Sequence, residues 1–153
     1  MLTYMLPLRT QRLQLRLHTG DDVTALQRIY SREDVATYLL EGPWSEEDAE
    51  RQIAKRITRT DLDGEAAALA VIIEHQGAVI GDVALWLTDV ERRVAEIGWV
   101  LDPAVGGRGF AAEAVEAVLR LAFDHYRLHR VKAQMDARNT ASARLAERVG
   151  MQR

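Results

Sequence analysis

The sequence contains no cysteine, which excludes disulfide bonds, thiolate metal sites and a cysteine nucleophile. It has no apolar run near the roughly 18 residues that a membrane-spanning helix needs. Its first residues, Met1 to Pro7, carry neither the basic head nor the cleavage pattern of a targeting signal. A formal net charge of −3 leaves no broad basic field for a nucleic acid. These absences predict a cytoplasmic protein with neither a membrane nor a nucleic-acid partner.

The length of 153 residues suits one domain, expected to span 1–153. Alternating or continuous apolar stretches predict strands, and capping residues followed by helical spacing predict helices. The expected strands are 12–18, 66–74, 79–87, 93–101 and 131–137, and the expected helices begin at Asp21 or Asp22, Ser45, Gly107 and Asn139. After a hairpin, the chain runs through a strand, a glycine loop, a helix and a further strand. This order predicts a mixed α/β fold, with one sheet flanked by helices and a parallel pairing of the strands at Arg93 and Val131.

The glycine-rich loop between the fourth expected strand and the long helix, Leu101 to Glu113, is the most informative segment. Its glycines let the backbone approach a ligand, and the free N–H groups and dipole of a helix start favour an anion. The loop lacks the Lys-Ser/Thr pair of a Walker A motif, and no acidic residue follows it by about 20 residues, as a Rossmann fold would require. It therefore predicts a phosphorylated cofactor, with a glycine turn that binds no ligand as the alternative.

Segments on either side of the loop narrow this choice. They are Ile97-Gly98-Trp99-Val100-Leu101-Asp102-Pro103 and Asn139-Thr140-Ala141-Ser142, and with the loop they resemble the GNAT acetyltransferases. The family pattern Gln/Arg-x-x-Gly-x-Gly/Ala falls on Gly106, Gly109 and Ala111. Thr10 to Arg16 and Asn139 to Met151 most resemble the RimJ/RimL branch, which acetylates ribosomal-protein N-termini. The resemblance implies a GNAT fold, acetyl-coenzyme A as co-substrate, and a primary amine as acceptor, by likeness to that branch a protein N-terminus.

The resemblance also implies how the cofactor is held. In the family the two parallel strands separate beside a β-bulge, which Gly98 would occupy here, and the pantetheine arm lies in the gap. Asn139 would bind the pantetheine amide, either besides or instead of capping a helix. The other expected cofactor contacts are Trp99, Val100, Leu101, Gly107, Arg108, Gly109, Phe110, Ala111 and Ala112. No metal is expected, because no further ligand accompanies His125 and His129.

Without cysteine, acetyl transfer is expected to be direct, and it needs a base and an oxyanion donor. Glu96 is the only charged residue between Val94 and Leu101, so burial beside the sheet would suit it as the base. The alternatives are an ion pair with Arg92 or Arg93 and a proton relay through water. A main-chain N–H at the bulge, that of Val100, is the expected oxyanion donor.

The reaction also needs an acid and a binding site for the acceptor. Many family members place a tyrosine on the last helix where this chain has Ala146, so Ser142, about one turn earlier, is the expected acid. The alternative for Ser142 is a serine that bonds only to the backbone. Tyr38 and Trp44 lie where the family builds its acceptor wall, although Trp44 could instead staple a helix start.

Two departures from the family pattern leave other functions open. Gly106 replaces the usual Gln or Arg of the phosphate motif, and the family's further hairpin, expected after Gly150-Met151, is apparently absent. An unpaired sheet edge there favours a homodimer. The alternatives are an acyl-coenzyme A-binding module without turnover, an acetyltransferase for small-molecule amines, and an interaction domain that has lost the cofactor.

Overall fold

The fold is that of a computed structural model, which describes residues 6–153. The expectation that Met1 to Pro7 form no targeting signal falls mostly on residues 1–5, which lie outside the described residues. Within 6–153, seven strands form one sheet in the order β1-β2-β4-β5-β6-β7, and β3 pairs with β4. The strands are β1 (Leu8–Arg9), β2 (Gln14–Leu17), β3 (Thr60–Asp61), β4 (Ala68–His75), β5 (Ala78–Asp89), β6 (Val94–Leu101) and β7 (Arg130–Lys132). All pairs are antiparallel except β6–β7, which confirms the expected mixed sheet.

Helices accompany both faces of the sheet. They are α1 (Val23–Tyr30), α2 (Glu33–Ala36), α3 (Glu46–Ile57), α4 (Phe110–Arg120) and α5 (Thr140–Arg148). The Ser45–Asp48 capping box that starts α3 is confirmed. Asp22 is the N-cap residue of α1, as expected, but its side chain makes no capping hydrogen bond. Thr19 accepts the N–H of Asp21 instead and starts a short 3₁₀ turn that leads into α1. No helix within residues 6–153 is long and apolar enough to cross a membrane.

Side chains alternate along the strands and build a core on each face of the sheet. On β6, Ala95 and Ile97 join the larger core, to which α4 contributes Phe110 and Val115. Val100 points to the other face and packs against the smaller core beneath α1 and α3. Because both faces of the central strands are covered, those strands are almost continuously apolar in sequence.

The parallel strands β6 and β7 separate after a short ladder. Val94–Glu96 pair with Arg130–Lys132, whereas residues 97–101 of β6 keep only their pairing with β5. The strand expected over 131–137 is therefore wrong beyond Lys132, since an extended segment forms a ladder only where a neighbour lies within hydrogen-bonding distance. This separation opens a cleft beside the second half of β6.

The β-bulge expected at Gly98 is wrong. Gly98 lies in register opposite Ala84, and the β5–β6 register shifts between Leu87 and Asp89 instead. The strands leave no room for a side chain at Gly81, because an added Cβ would lie 2.1 Å from the carbonyl oxygen of Val100. Gly81 is therefore the position at which this strand pair requires glycine.

Helix α4 begins three residues after the expected start at Gly107. Gly107 and Gly109 have φ angles of 78° and 80°, a left-handed conformation outside the helical region. After Arg120 the helix continues as a π-helical turn to His125, close to its expected end at Tyr126. The expected limits of α5 are confirmed, with Asn139 as its N-cap and Gly150, at φ 94°, just beyond its end.

Candidate functional site

A cavity of about 690 Å³ occupies the cleft between β6 and residues 134–136. Its volume is typical of small-molecule sites. All the expected cofactor contacts except Arg108 line it: Trp99, Val100, Leu101, Gly107, Gly109, Phe110, Ala111, Ala112 and Asn139. The side chain of Arg108 instead lies over the Phe110 ring, 4.6 Å from its centroid. The fold thus brings residues from β6, α4 and α5 together around one cleft.

One end of the cavity is suited to an anion. The first N–H groups of α4, those of residues 110–112, have no acceptor within the helix, and the helix dipole is positive there. A Cβ at Gly109 would lie 3.4 Å from a guanidinium nitrogen of Arg12 and 3.7 Å from one of Arg148. Arg144 and Arg148 both line the cavity. We did not select these two arginines from the sequence, although their separation of four residues places them on one face of α5.

The segment before β2 forms hydrogen bonds with the glycine loop and the first turn of α4. The main-chain N–H and Nε of Arg12 donate to Glu113 at 2.9 and 2.7 Å, and Nη1 donates to the Arg108 carbonyl at 2.8 Å. The Thr10 hydroxyl also donates to Glu113. Burial alone would raise the pKa of Glu113, but the hydrogen bonds from Thr10 and Arg12 outweigh it and lower this pKa. The first turn of α4 is thereby tied to β2.

Asn139 and Ser142 lie together on the cavity wall. Asn139 Oδ1 accepts the N–H of Ser142 at 3.1 Å and so caps α5. Capping uses only the amide oxygen, so Nδ2 can still donate to a ligand. Among residues 6–153 the Ser142 hydroxyl makes no hydrogen bond. Its expected role as an acid stays a prediction.

Glu96 lies at the end of the β6–β7 ladder, opposite Lys132 and next to Trp86 of β5. It is half-buried and does not line the cavity, although Gly98, two residues further along the same face, does. The ion pairs considered for it do not form, because Arg92 faces Asp89 at 3.8 Å and Arg93 faces Asp63 at 3.0 Å. The structure thus places Glu96 close to the cleft but outside its lining.

Another wall of the cavity is the wall loop, residues 31–43, which includes α2. Its Asp34, Val35, Tyr38 and Leu39 line the cavity. The Tyr38 hydroxyl donates to the Arg138 carbonyl at 3.4 Å. Trp44 does not reach the cavity, because it is 3% exposed and its ring stacks on Tyr30 at a centroid distance of 4.0 Å. Of the two expected acceptor contacts, only Tyr38 therefore lies at the cavity.

A buried polar group beneath the wall loop, the Asp82 cluster, consists of His18, Tyr30, Arg56 and Asp82. His18 Nε2 and Arg56 Nε each lie 3.1 Å from Asp82, and the Tyr30 hydroxyl donates to it. Burial opposes ionisation of Asp82, but the His18 hydrogen bond and the charge of Arg56 outweigh it, so the pKa of Asp82 is lowered. We did not select this cluster from the sequence, where its one signal is a single carboxylate within the apolar run 79–87.

The chain is similar in sequence to known N-acetyltransferases. Residues 12–152 match the family described as the acetyltransferase (GNAT) domain. The uncharacterised N-acetyltransferase p20 of Bacillus licheniformis is 30% identical over 146 residues, which cover 95% of this chain and 82% of that protein.

Solved structures show the same fold. A GNAT-family acetyltransferase from Bacillus anthracis has a TM-score of 0.82 and 29% identity, over 95% of this chain and 82% of that one. The ribosomal L7/L12 alpha-N-protein acetyltransferase RimL, in complex with coenzyme A, has a TM-score of 0.80 and 20% identity, over 92% of this chain and 80% of that one. The likeness to RimL concerns the fold alone.

Proposed function

Because the chain belongs to the GNAT acetyltransferase family and is an acetyl-coenzyme A-dependent N-acetyltransferase, we propose that its acceptor is a protein N-terminal amine. The observation that carries this proposal is the cleft between the separated strands β6 and β7, which the glycine loop and the wall loop both line. The resemblance of Thr10–Arg16 and Asn139–Met151 to the RimJ/RimL branch favours a polypeptide acceptor. A small-molecule amine is the alternative.

The residues of the cleft suit acetyl-coenzyme A, which supplies the acetyl group as an activated thioester. The N–H groups of residues 110–112 would hold its pyrophosphate, with Arg144 and Arg148 as nearby cations. The second half of β6 would hold the pantetheine arm through its main chain, because this edge has no strand partner within residues 6–153. Asn139 Nδ2 would donate to a pantetheine carbonyl.

We assign the oxyanion donor to the main chain of β6. The carbonyl oxygen of Val100 faces Gly81 of β5. In an extended strand the N–H and C=O of one residue point to the same side, so the N–H of Val100 is also directed at β5. The donor is therefore an N–H of Trp99 or Leu101, which face the cleft, rather than that of Val100. Such a donor stabilises the transition state by about 3–4 kcal/mol.

Two side chains are proposed to handle protons. Ser142, on the cavity wall, would donate a proton to the leaving sulfur. Glu96 lies outside the lining, so it would accept the proton of the amine through a water molecule. This relay keeps Glu96 as the base without requiring direct contact with the acceptor.

Calorimetric titration with acetyl-coenzyme A tests the cofactor site. Wild-type protein is expected to bind with micromolar affinity, and Gly109→Trp to bind at least about tenfold more weakly, because the added side chain enters the anion-binding end. Gly77→Trp is the matched control, since Gly77 has a similar φ of 79° but lies in the β4–β5 turn with open space around it. Equal loss in both variants would mean that backbone strain, rather than obstruction of the site, weakens binding.

Release of free coenzyme A in the presence of different amines tests the reaction and the acceptor. We expect faster release with peptides that carry a free N-terminal amine than with the same peptides blocked at that amine. Faster release of coenzyme A with small amines alone would show that the acceptor is a small-molecule amine rather than a protein N-terminus. Tight binding without release by any amine would identify an acyl-coenzyme A-binding module.

We also propose a homodimer, because β7 is an edge strand of the sheet and such an edge can pair with a second copy. Light scattering coupled to size exclusion should give twice the mass of the 17.2 kDa chain. A stable monomer at high concentration would contradict it. The cytoplasmic location expected from the sequence stays a prediction.

A further inference from the structure

The wall loop is tied together at its base. It begins after Tyr30 and ends before Trp44, and these two rings stack at a centroid distance of 4.0 Å with an angle of 13° between their planes. The N–H of Trp44 also donates to the Tyr30 carbonyl at 3.4 Å. Residues 31–43 therefore leave and re-enter the fold at one place, which helps to position Val35 and Tyr38 at the cavity together with the hydrogen bond from Tyr38 to the Arg138 carbonyl.

The base of the wall loop rests on the Asp82 cluster. The Tyr30 hydroxyl donates to Asp82, and the Arg56 guanidinium, paired with the same carboxylate, lies 4.9 Å from the Trp44 ring centroid. Asp82 is in turn the register partner of Val100 on β6. One buried carboxylate thus connects the wall loop with the strand that forms the floor of the cleft.

The composition of the Asp82 cluster is poorly suited to stability alone. Two buried polar atoms within residues 6–153 have no hydrogen-bond partner, His18 Nδ1 and Trp44 Nε1, and both belong to this region. An unpartnered buried polar atom costs free energy, and well-packed apolar residues often stabilise a core as well as a buried ion pair does. What directional bonds add is a defined geometry, because Tyr30 and Arg56 must both keep their positions to bond Asp82.

We propose that Tyr30, through its hydrogen bond to Asp82, positions the wall loop and thereby sets the affinity for the acceptor amine. This inference rests on the proposed function, since it assumes that the acceptor binds between the wall loop and β6. Tyr30 does not line the cavity and acts only through the loop, so it is a positioning residue. The acetyl-coenzyme A contacts proposed above lie on β6, α4 and α5, and none of them belongs to the wall loop.

The variant Tyr30→Phe tests the proposal, because it keeps the stacked ring and removes only the hydroxyl. We expect the KM for the acceptor to rise about tenfold, the loss that one charge-assisted hydrogen bond predicts, while the KM for acetyl-coenzyme A stays unchanged. Tyr126→Phe is the matched control. Tyr126 is 2% exposed and its hydroxyl donates to Asp61 at 2.8 Å, but it belongs to the larger core on the other face of the sheet. It should lose stability without a change in either KM.

Two kinetic results would overturn the proposal. In one, Tyr30→Phe lowers the unfolding midpoint but leaves the KM for the acceptor unchanged. In the other, both variants raise this KM equally, which would indicate a general effect of losing a buried hydroxyl.

Amide hydrogen exchange separates this proposal from the proposed function, because it needs no turnover. In Tyr30→Phe, peptides that cover 31–43 should exchange faster than in wild type, while peptides that cover 98–112 should not. Tyr126→Phe should leave 31–43 unchanged. If wild-type protein acetylates no amine, the proposed function fails, and the exchange pattern still decides whether Tyr30 holds the wall loop. Unchanged exchange of 31–43 in Tyr30→Phe would refute that role.

Discussion

Replacing Gly81 with alanine is expected to lower kcat/KM about a hundredfold, the penalty that a misplacement of about 1 Å imposes on a catalytic group. The new Cβ would lie 2.1 Å from the Val100 carbonyl oxygen, and also 3.0 Å from the Cα of Leu101. Both are main-chain atoms, so no side-chain rotation can relieve the contact. β6 must shift, and with it the N–H groups of Trp99 and Leu101 that we assign to the pantetheine and the oxyanion.

Steady-state kinetics on folded protein would check this expectation, with Gly20→Ala as the control. Gly20 has no atom within 4 Å of an added Cβ and does not have a positive φ, so alanine fits there without a clash. Both variants replace glycine with alanine, so both reduce the conformational freedom of the unfolded chain equally. We expect Gly20→Ala to retain wild-type activity. A Gly81→Ala variant with full activity would show that the β5–β6 pair can move apart without displacing the cleft.

Replacing Asp82 with alanine is expected to lower the free energy of unfolding by about 3 kcal/mol, because it leaves the guanidinium of Arg56, whose side chain is only 14% exposed, without its counter-charge. His18 and Tyr30 lose their hydrogen-bond partner as well. Loss of this size is a large share of the about 5–15 kcal/mol that stabilises a typical domain. Denaturant unfolding at neutral pH would measure it.

Asp89→Ala is the control on the same strand, because Asp89 is 41% exposed and faces the exposed Arg92 at 3.8 Å. An ion pair of this kind contributes at most about 1 kcal/mol. If both variants lost equal stability, the burial of Asp82 would not explain the loss.

The pH dependence of the Asp82 effect follows from the direction of its pKa shift. The pKa of Asp82 is lowered from its ordinary value of 3.8, so its contribution to stability is present above pH 3.8 and is lost as the pH falls through the lowered pKa. The difference between wild type and Asp82→Ala should therefore be constant near neutral pH and should shrink in acid. A difference that grew in acid would contradict the assignment of an ionised Asp82.

The features that local sequence predicts correctly involve residues close together in the chain. The Ser45–Asp48 capping box and the end of α5 before Gly150 depend on hydrogen bonds across one turn. The β4–β5 hairpin depends on two apolar runs joined by a tight turn at Gln76-Gly77.

The errors lie where the pairing of strands decides the outcome. Alternation along 131–137 indicates a strand but does not show that β6 and β7 separate after Glu96 and Lys132. Gly98 is the glycine within β6, and the bulge is expected there. The position where a side chain would clash with the facing strand is instead Gly81 on β5. The direction of the Val100 carbonyl also depends on the pairing with β5, and it is the reason we propose an N–H of Trp99 or Leu101 as the oxyanion donor.

The sequence by itself determined the family, the co-substrate and the position of the glycine loop, because these depend on short motifs read in order along the chain. Only the tertiary structure decided what holds the loop and the wall in place. Arg12 meets Glu113 across 101 positions, and His18 and Tyr30 meet Asp82 across 64 and 52. Partners so far apart in the chain become neighbours through the packing of the sheet and helices, and no local spacing rule identifies them.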